Sequence, residues 1–317
     1  DGGYIVAGHT NSFGAGYDAF LVKTDANGNI IWAKTYGGTD DDIAFSVQQT
    51  SDGGYIVAGA TASFGAGSRD IFLIKTDASG NVQWAKTYGG TGWNEAYSVQ
   101  QTSDGGYIVA GATASFGASL DAFLVKTDAN GNIVWAKTYG GTGWNVAYSV
   151  QQTSDGGYIM AGVTLSFGAG SLDIFLIKTD ANGNIIWAKT YGGTDGDGAF
   201  SVQQTSDGGY IVAGLTDSFG AGYSDVFLVK TDANGNIGSC SIVQSGSPMV
   251  DTVSPTVNTP TISVSSVSPT VYSVSPTVTT PTLTVSELCP LSISEFCQVV
   301  SGLITPYKGG IKVRGSG

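Results

Sequence analysis

Histidine occurs once in this chain, as His9, and cysteine three times, as Cys240, Cys289 and Cys297. None of the cysteines has zinc-ligand spacing, and one imidazole leaves little for acid–base catalysis. Basic residues are scarce as well, 13 Lys and Arg against 25 Asp and Glu, for a net charge of -12. That balance argues against a nucleic-acid partner, whose phosphates call for clustered Lys and Arg, and against adhesion to anionic lipid. No apolar run approaches the roughly 18 residues that span a bilayer. Nucleophile elbows, phosphate loops and metal-spaced His/Cys clusters are missing too, so no enzyme activity is expected. The chain starts at Asp1 without a signal peptide, which fits a leader already removed or a truncated sequence. No Asn-x-Ser/Thr acceptor for N-glycosylation is present.

What the chain has is glycine, 48 residues of it, and repetition. The phrase "DGGYIVAG" or a near-copy begins at Asp1, Asp52, Asp104, Asp155 and Asp207, so the period is 51 or 52 residues. A period of that size in a Gly-rich, strand-rich sequence is a blade-sized unit. One unit reads as four strands: Ala96–Ser103, Gly106–Thr113, Asp121–Asp128 and Ile133–Gly141. The Asn130-Gly131 pair between the last two is a hairpin signal, because the tight turn needs positive φ. The second and third strands are almost continuously apolar, as in sheets covered on both faces. The expected fold is all-β: a five-bladed β-propeller of four-stranded blades over residues 1–246.

The repeat resembles kelch-like propellers in its Gly-rich second strand ("YIVAG") and the aromatics late in its fourth ("WAKTY"). More closely, "DGGYIVAG…FLVKTDANGNIIWAKTYGGT" resembles a tandem family of secreted archaeal and bacterial proteins. That resemblance covers roughly residues 1–240 and implies an extracellular protein, with no particular chemistry. It departs from the kelch pattern in placing the double glycine before the second strand.

Residues that recur once per unit have a structural explanation. Trp32, Trp84, Trp135 and Trp187, and Phe13, Phe64, Phe116, Phe167 and Phe219, read as packing anchors between blades. Lys23, Lys75, Lys126, Lys178 and Lys230 recur with Asp18, Asp70, Asp121, Asp173 and Asp225 and read as ion pairs or solvated strand ends. His9 aligns with Ala60, Ala112, Val163 and Leu215, a tolerated substitution and not a catalytic base. The variable loop before each first strand is the best ligand candidate. Asp40, Asp41, Asp42, Asp195 and Asp197 are oxygen donors of the kind calcium takes, and Trp93 and Trp144 suit stacking on a sugar. Solvated acidic loops and packed indoles are the favoured reading of both. No other cofactor is expected.

The ring is incomplete. The first strand occurs four times, at Ser46, Ser98, Ser149 and Ser201, and the fifth unit breaks off where its fourth strand should run, with Ser239 in place of Trp. "SIVQS" (Ser241–Ser245) fits a degraded fourth strand or a copy of the first, but not both. An open sheet edge calls for a partner strand. All eight prolines lie after residue 247. The tail at 247–288 is two copies of a 21-residue repeat, Ser247–Val267 and Ser268–Leu288, identical at 13 positions. Its Pro, Thr and Val favour extended backbone, docked, as a free stalk or as a small β-domain of its own, with O-glycosylation compatible with docking. The end, 289–317, holds a capping box (Ser292, Glu295) before Phe296, Val299 and Val300, which predicts a short helix closed by Gly302. A Cys289–Cys297 disulfide is expected, with Cys240 bridged to one of the two as the alternative. The favoured function is an extracellular structural protein. It assembles with other copies of itself by giving a tail strand, or the residues around Ile311–Val313, to a neighbour's open blade. A propeller that binds glycan or another ligand at the cell surface is the second reading.

Overall fold

The computed structural model describes residues 1–117, 119–220, 223–238, 242–246, 249–252, 256–258, 263–266, 284–287, 296–301, 303–307 and 310–314. Among them there is no helix, and every sheet is antiparallel. The chain divides into two compact units, one of residues 1–142 with 249–271 and one of 143–248 with 272–317.

Five sheets follow the five repeats. Sheet I holds Ile5–Thr10, Asp18–Thr24 and Ile30–Gly37; sheet II holds Asp42–Gln49, Tyr55–Thr61, Asp70–Thr76 and Val82–Gly89. Sheet III holds Asn94–Gln101, Tyr107–Thr113, Asp121–Thr127 and Ile133–Gly140, within two residues of the strands read from the sequence. Sheet IV holds Asn145–Gln152, Tyr158–Thr164, Asp173–Thr179 and Ile185–Tyr191; sheet V holds Asp197–Gln204, Tyr210–Thr216 and Asp225–Thr231. Sheets I–III lie in the first unit, IV and V in the second.

Each first strand carries a bulge, at Ala44/Ser46, Ala96/Ser98, Ala147/Ser149 and Ala199/Ser201. The second-strand glycine opposite is required by a close approach. A Cβ on Gly59, Gly111, Gly162 or Gly214 would lie 1.8 Å from a first-strand carbonyl oxygen. Sheets pack face to face. Ala19, Leu21 and Tyr36 of sheet I meet Val57, Phe72, Ile74 and Ala85 of sheet II. Similar apolar cores join II to III and IV to V. The near-continuous apolar runs of the second and third strands follow from this two-sided burial.

The residues from Val243 onward supply a further strand to every sheet. Val243–Ser245 pairs with the fourth strand of sheet IV, Met249–Thr252 with that of III, Thr256–Asn258 with that of II and Ser263–Ser266 with that of I. The walk takes one sheet every seven residues. Val243, Val250, Val257 and Val264 stand opposite Tyr191, Tyr139, Tyr88 and Tyr36, the same tyrosine of each "WAKTY". In sheet V the missing fourth strand is Phe296–Ser301, paired to Asp225–Thr231, and Thr284–Glu287 is its outer neighbour.

Three expectations are corrected here. The helix predicted from Phe296 is a strand through Ser301, because pairing along the open edge of sheet V outweighs a local capping signal; Ser292 and Glu295 lie outside the described residues. "SIVQS" takes neither expected role, since Val243–Ser245 is an outer strand on sheet IV. Gly310–Arg314, which includes Ile311–Val313, pairs with Leu303–Tyr307 as a hairpin and not with an open repeat. Cys240 and Cys289 lie outside the described residues, as does the expected disulfide with them, while Cys297 stands opposite Val229 in the ladder. No described helix is long and apolar enough to cross a membrane.

Candidate functional site

The repeated chemistry lies where one sheet meets the next. The fourth strand of sheet I reaches into the turn of sheet II with three side chains. Trp32 stacks edge-on against Tyr55 at 5.9 Å, and its indole N–H donates to Ala78 O at 3.3 Å. Lys34 Nζ donates to Asn81 Oδ1 at 2.8 Å, and the Tyr36 hydroxyl to Gly80 O at 2.7 Å. The same lock joins II to III through Trp84–Tyr107, Lys86–Asn132 and Tyr88–Gly131. It joins IV to V through Trp187–Tyr210, Lys189–Asn236 and Tyr191–Gly235. The turn glycines Gly80, Gly131 and Gly235 have positive φ, and a Cβ on any of them would strike the incoming indole within 2.9 Å. Burial pushes the phenols of Tyr36, Tyr88 and Tyr191 well above their usual range, so they stay protonated donors.

First strands are laced side by side. The Val99 N–H donates to Ser46 Oγ at 3.2 Å and the Gln101 N–H to Gln48 Oε1 at 2.6 Å. The same pair, Val202 to Ser149 and Gln204 to Gln151, joins IV to V. This is the physical content of the recurring "SVQQ".

The buried lysines pair with the aspartate that opens each repeat and not with the one at the far end of their own strand. Lys23, Lys75, Lys126, Lys178 and Lys230 lie 2.8–2.9 Å from Asp1, Asp52, Asp104, Asp155 and Asp207. The Lys75 hydrogen bond leads the effects that hold Asp52 down at about 2. Asp104 and Asp155 also fall to about 2, where bonds to lysine and threonine overcome the opposing effect of burial.

At three junctions the acid that opens the third strand faces the residue that opens the next first strand. In sheets II and III these are Asp70 and Asn94, with Asn94 Nδ2 donating to Asp70 Oδ1 at 3.0 Å. In I and II they are Asp18 and Asp42, and in IV and V Asp173 and Asp197. Desolvation, then the neighbouring carboxylate, raises Asp18; desolvation leads for Asp42 and Asp173 as well. Oδ1 of both Asp173 and Asp197 is buried without a hydrogen bond.

The loop residues singled out from sequence each have their own local setting. Asp42 and Asp197 are buried and accept from Gly38 N and Gly193 N, each at 2.8 Å. Asp41 Oδ1 accepts from Tyr17 N at 3.2 Å, Asp40 is exposed, and the Asp195 N–H donates to Ser218 Oγ at 3.0 Å. Among the described residues no three His, Cys, Asp or Glu side chains are grouped to hold a metal. Trp93 is half-buried, its carbonyl accepting from Ala114 N at 2.7 Å, whereas Trp144 is 61% exposed. His9 is exposed and packs edge-on against Tyr17 at 5.3 Å. In the second unit a cleft of about 290 Å³ is lined by Trp187, Tyr210, Lys178 and Asp155 among others.

Residues 3–195 match the family described as Holdfast attachment protein D. The regulatory protein FlaEY of Caulobacter vibrioides is 27% identical over 169 residues, which are 49% of this chain and 16% of that protein. The chain thus spans about a sixth of the length of the curated relative it matches.

Proposed function

Because the chain belongs to the holdfast attachment protein D family, we propose that it is an attachment protein of the bacterial cell surface. It has no catalytic role in this reading. Its sheets serve as blades of a β-propeller, and copies assemble by exchanging extended strands. The observation that carries the reading is the way the fold is already held together. Every sheet takes a strand from the residues that follow the fifth repeat, from Val243 onward, and sheet V takes its fourth strand from residues 296–301, far along the chain. A short strand held by ladder hydrogen bonds can be given to a neighbour at little cost in contacts, because the edge it leaves accepts the same segment from another copy.

The test is truncation after Gly246. Full-length protein should sediment as a multimer and stay at the cell surface, and the truncated form should do neither. The same assembly from truncated protein, or a full-length monomer at high concentration, would show the reading to be wrong.

The exposure of Trp144 favours a second reading, a loop face that stacks on a glycan. Trp144→Ala should then abolish retention on a glycan surface while leaving the melting temperature unchanged. Equal retention of the two proteins would remove it.

A further inference from the structure

The cleft of about 290 Å³ at the junction of sheets IV and V is lined by one indole and a set of polar side chains. Small-molecule sites start at volumes on the order of 300 Å³. The indole is Trp187, half-buried and held in one orientation. It packs edge-on against Tyr210 at 5.7 Å, and a Cβ on Gly235 would fall 2.8 Å from its Cζ3. Ile186, the next residue along the strand and 56% exposed, adds to the apolar lining.

The polar lining is fixed as well. Asp155 accepts from Lys178 Nζ at 2.9 Å, from the Thr153 hydroxyl at 2.5 Å and from Gly157 N at 3.0 Å, yet its side chain is 57% exposed. The lysine of the pair is buried, so the charge that the cleft presents to solvent is the carboxylate's. Gln204 Oε1 accepts from Ser154 N at 2.8 Å, which sets the amide in place. Among the described residues, no acceptor takes the Gln204 Nε2 donors, the Ser154 hydroxyl, the Asn234 side-chain amide or the Trp187 indole N–H.

Between sheets II and III the equivalent side chains are committed to one another. Gln83 stands in the place of Ile186, and its Oε1 accepts from Lys75 Nζ at 3.1 Å. Gln101, the counterpart of Gln204, donates from Nε2 to Gly105 O at 3.5 Å. Neither bond is made between IV and V, where an isoleucine has nothing to accept with.

We propose that the cleft between sheets IV and V binds a neutral saccharide. The C–H face of a sugar ring packs on Trp187 and Ile186. Asp155 accepts from its hydroxyls, Gln204 Nε2 donates to them, and Ser154 and Asn234 do both, which suits groups that are themselves donor and acceptor. An apolar ligand would strand these polar groups without partners. An anionic sugar would face the exposed Asp155 carboxylate, and a phosphate would find no open cation, because Lys178 is buried and paired. Since the indole, the carboxylate and the glutamine are already held in place, little ordering opposes binding. The inference goes beyond strand exchange and uses neither the tail nor Trp144, so its failure leaves the truncation result untouched.

The test titrates the full chain with cellotriose, mannotriose and galactotriose, and with trigalacturonate as the anionic counterpart. Indole N–H resonances report binding, with that of Trp187 assigned through Trp187→Phe. At least one neutral trisaccharide should bind saturably and shift the Trp187 resonance, and trigalacturonate should bind about tenfold more weakly. Asn234→Ala should weaken binding about fivefold, the loss of about one hydrogen bond. Ile186→Gln, which copies Gln83, should weaken it by at least as much. Both side chains are exposed, so both variants should melt like the wild type. Failure of all three neutral sugars to saturate up to about 10 mM overturns the proposal. So does undiminished binding to either variant, a shift confined to Trp144, or trigalacturonate binding as tightly as the neutral sugars.

Discussion

Replacing Asp197 with Asn should stabilise the protein, a counter-intuitive result for a buried, partly hydrogen-bonded acid. Asp197 and Asp173 face each other at the junction of sheets IV and V, and Oδ1 of each is buried without a donor. An unsatisfied buried polar atom costs about 1–3 kcal/mol. The junction of II and III holds the alternative, in which Asn94 Nδ2 donates to Asp70 Oδ1 at 3.0 Å and Asn94 Oδ1 accepts from Thr113 at 2.6 Å. The amide introduced by Asp197→Asn copies that arrangement and gives Asp173 its missing donor. Against this, Asp197 Oδ2 accepts from Gly193 N and from Ser218 Oγ at 2.7 Å, and weakening those bonds costs about 1 kcal/mol. The net gain is about 0–2 kcal/mol, at roughly 2–4 °C of melting temperature per kcal/mol.

The gain depends on pH, and its sign follows from linkage. Desolvation and Asp197 raise Asp173 above its ordinary value of 3.8. A carboxyl raised on folding contributes stability that is fully present below pH 3.8 and lost as pH rises through its folded value. The wild type therefore carries the penalty of the acid pair at neutral pH and is relieved of it in acid. Melting curves of wild type and Asp197→Asn should diverge at pH 7 and converge near pH 3. A variant that melts lower than wild type at pH 7, or a difference that does not change with pH, would refute the reasoning.

Further outcomes follow from the other junctions. Asp42→Asn should act like Asp197→Asn at the junction of I and II, since desolvation raises Asp42 as well; a lower melting temperature at neutral pH would count against it. Trp84→Ala removes the indole from the core between II and III and should cost about 2–4 kcal/mol, read as a shift in denaturant midpoint. The Lys–Asp pairs act in the opposite sense to the acid pairs. Asp52, Asp104 and Asp155 are depressed to about 2, so their contribution is complete above 3.8 and lost as pH falls through about 2. Circular dichroism should show acid unfolding within that window, and unfolding complete above pH 4 would contradict the assignment.

Much of the architecture was legible because each repeat states it again. The alternation of apolar runs with "DANGN" turns put the strands of sheet III within two residues of their places, and Trp32, Trp84 and Trp187 proved to be junction anchors. The ion pairs were half legible. The buried lysines were evident, but their partners come from the turn before the second strand, and a single repeat cannot distinguish two aspartates that recur equally often. The short helix was misread because a capping box reports only local preference, while the open edge of sheet V, a long-range feature, decides the conformation of Phe296–Ser301.

The tail was the least legible part, and for a definite physical reason. Its 21-residue repeat is three steps of seven, and the Ser-Pro that precedes the valine in two steps of each three is absent from the third, which hides the shorter period. Amphipathic periods of 2 or 3.6 come from a chain's own strand or helix geometry. A period of seven in an extended chain answers instead to the spacing of the sheets that it visits. Only the pairing of Val243, Val250, Val257 and Val264 with the same tyrosine on four sheets gives the spacing a meaning. The tyrosine is fixed in place by its own hydroxyl lock on the next sheet, as Tyr36 is on Gly80. One side chain therefore joins two modes of cohesion, the packing of sheet on sheet and the lacing of the tail across their outer edges. Loosening the lock at Tyr36 should also loosen the outer strand Ser263–Ser266. Tyr36→Phe keeps the ring but removes the hydroxyl, so amide exchange at Ser263–Ser266 should accelerate together with that of Val82–Gly89. Faster exchange in Val82–Gly89 alone would mean that the two modes are independent.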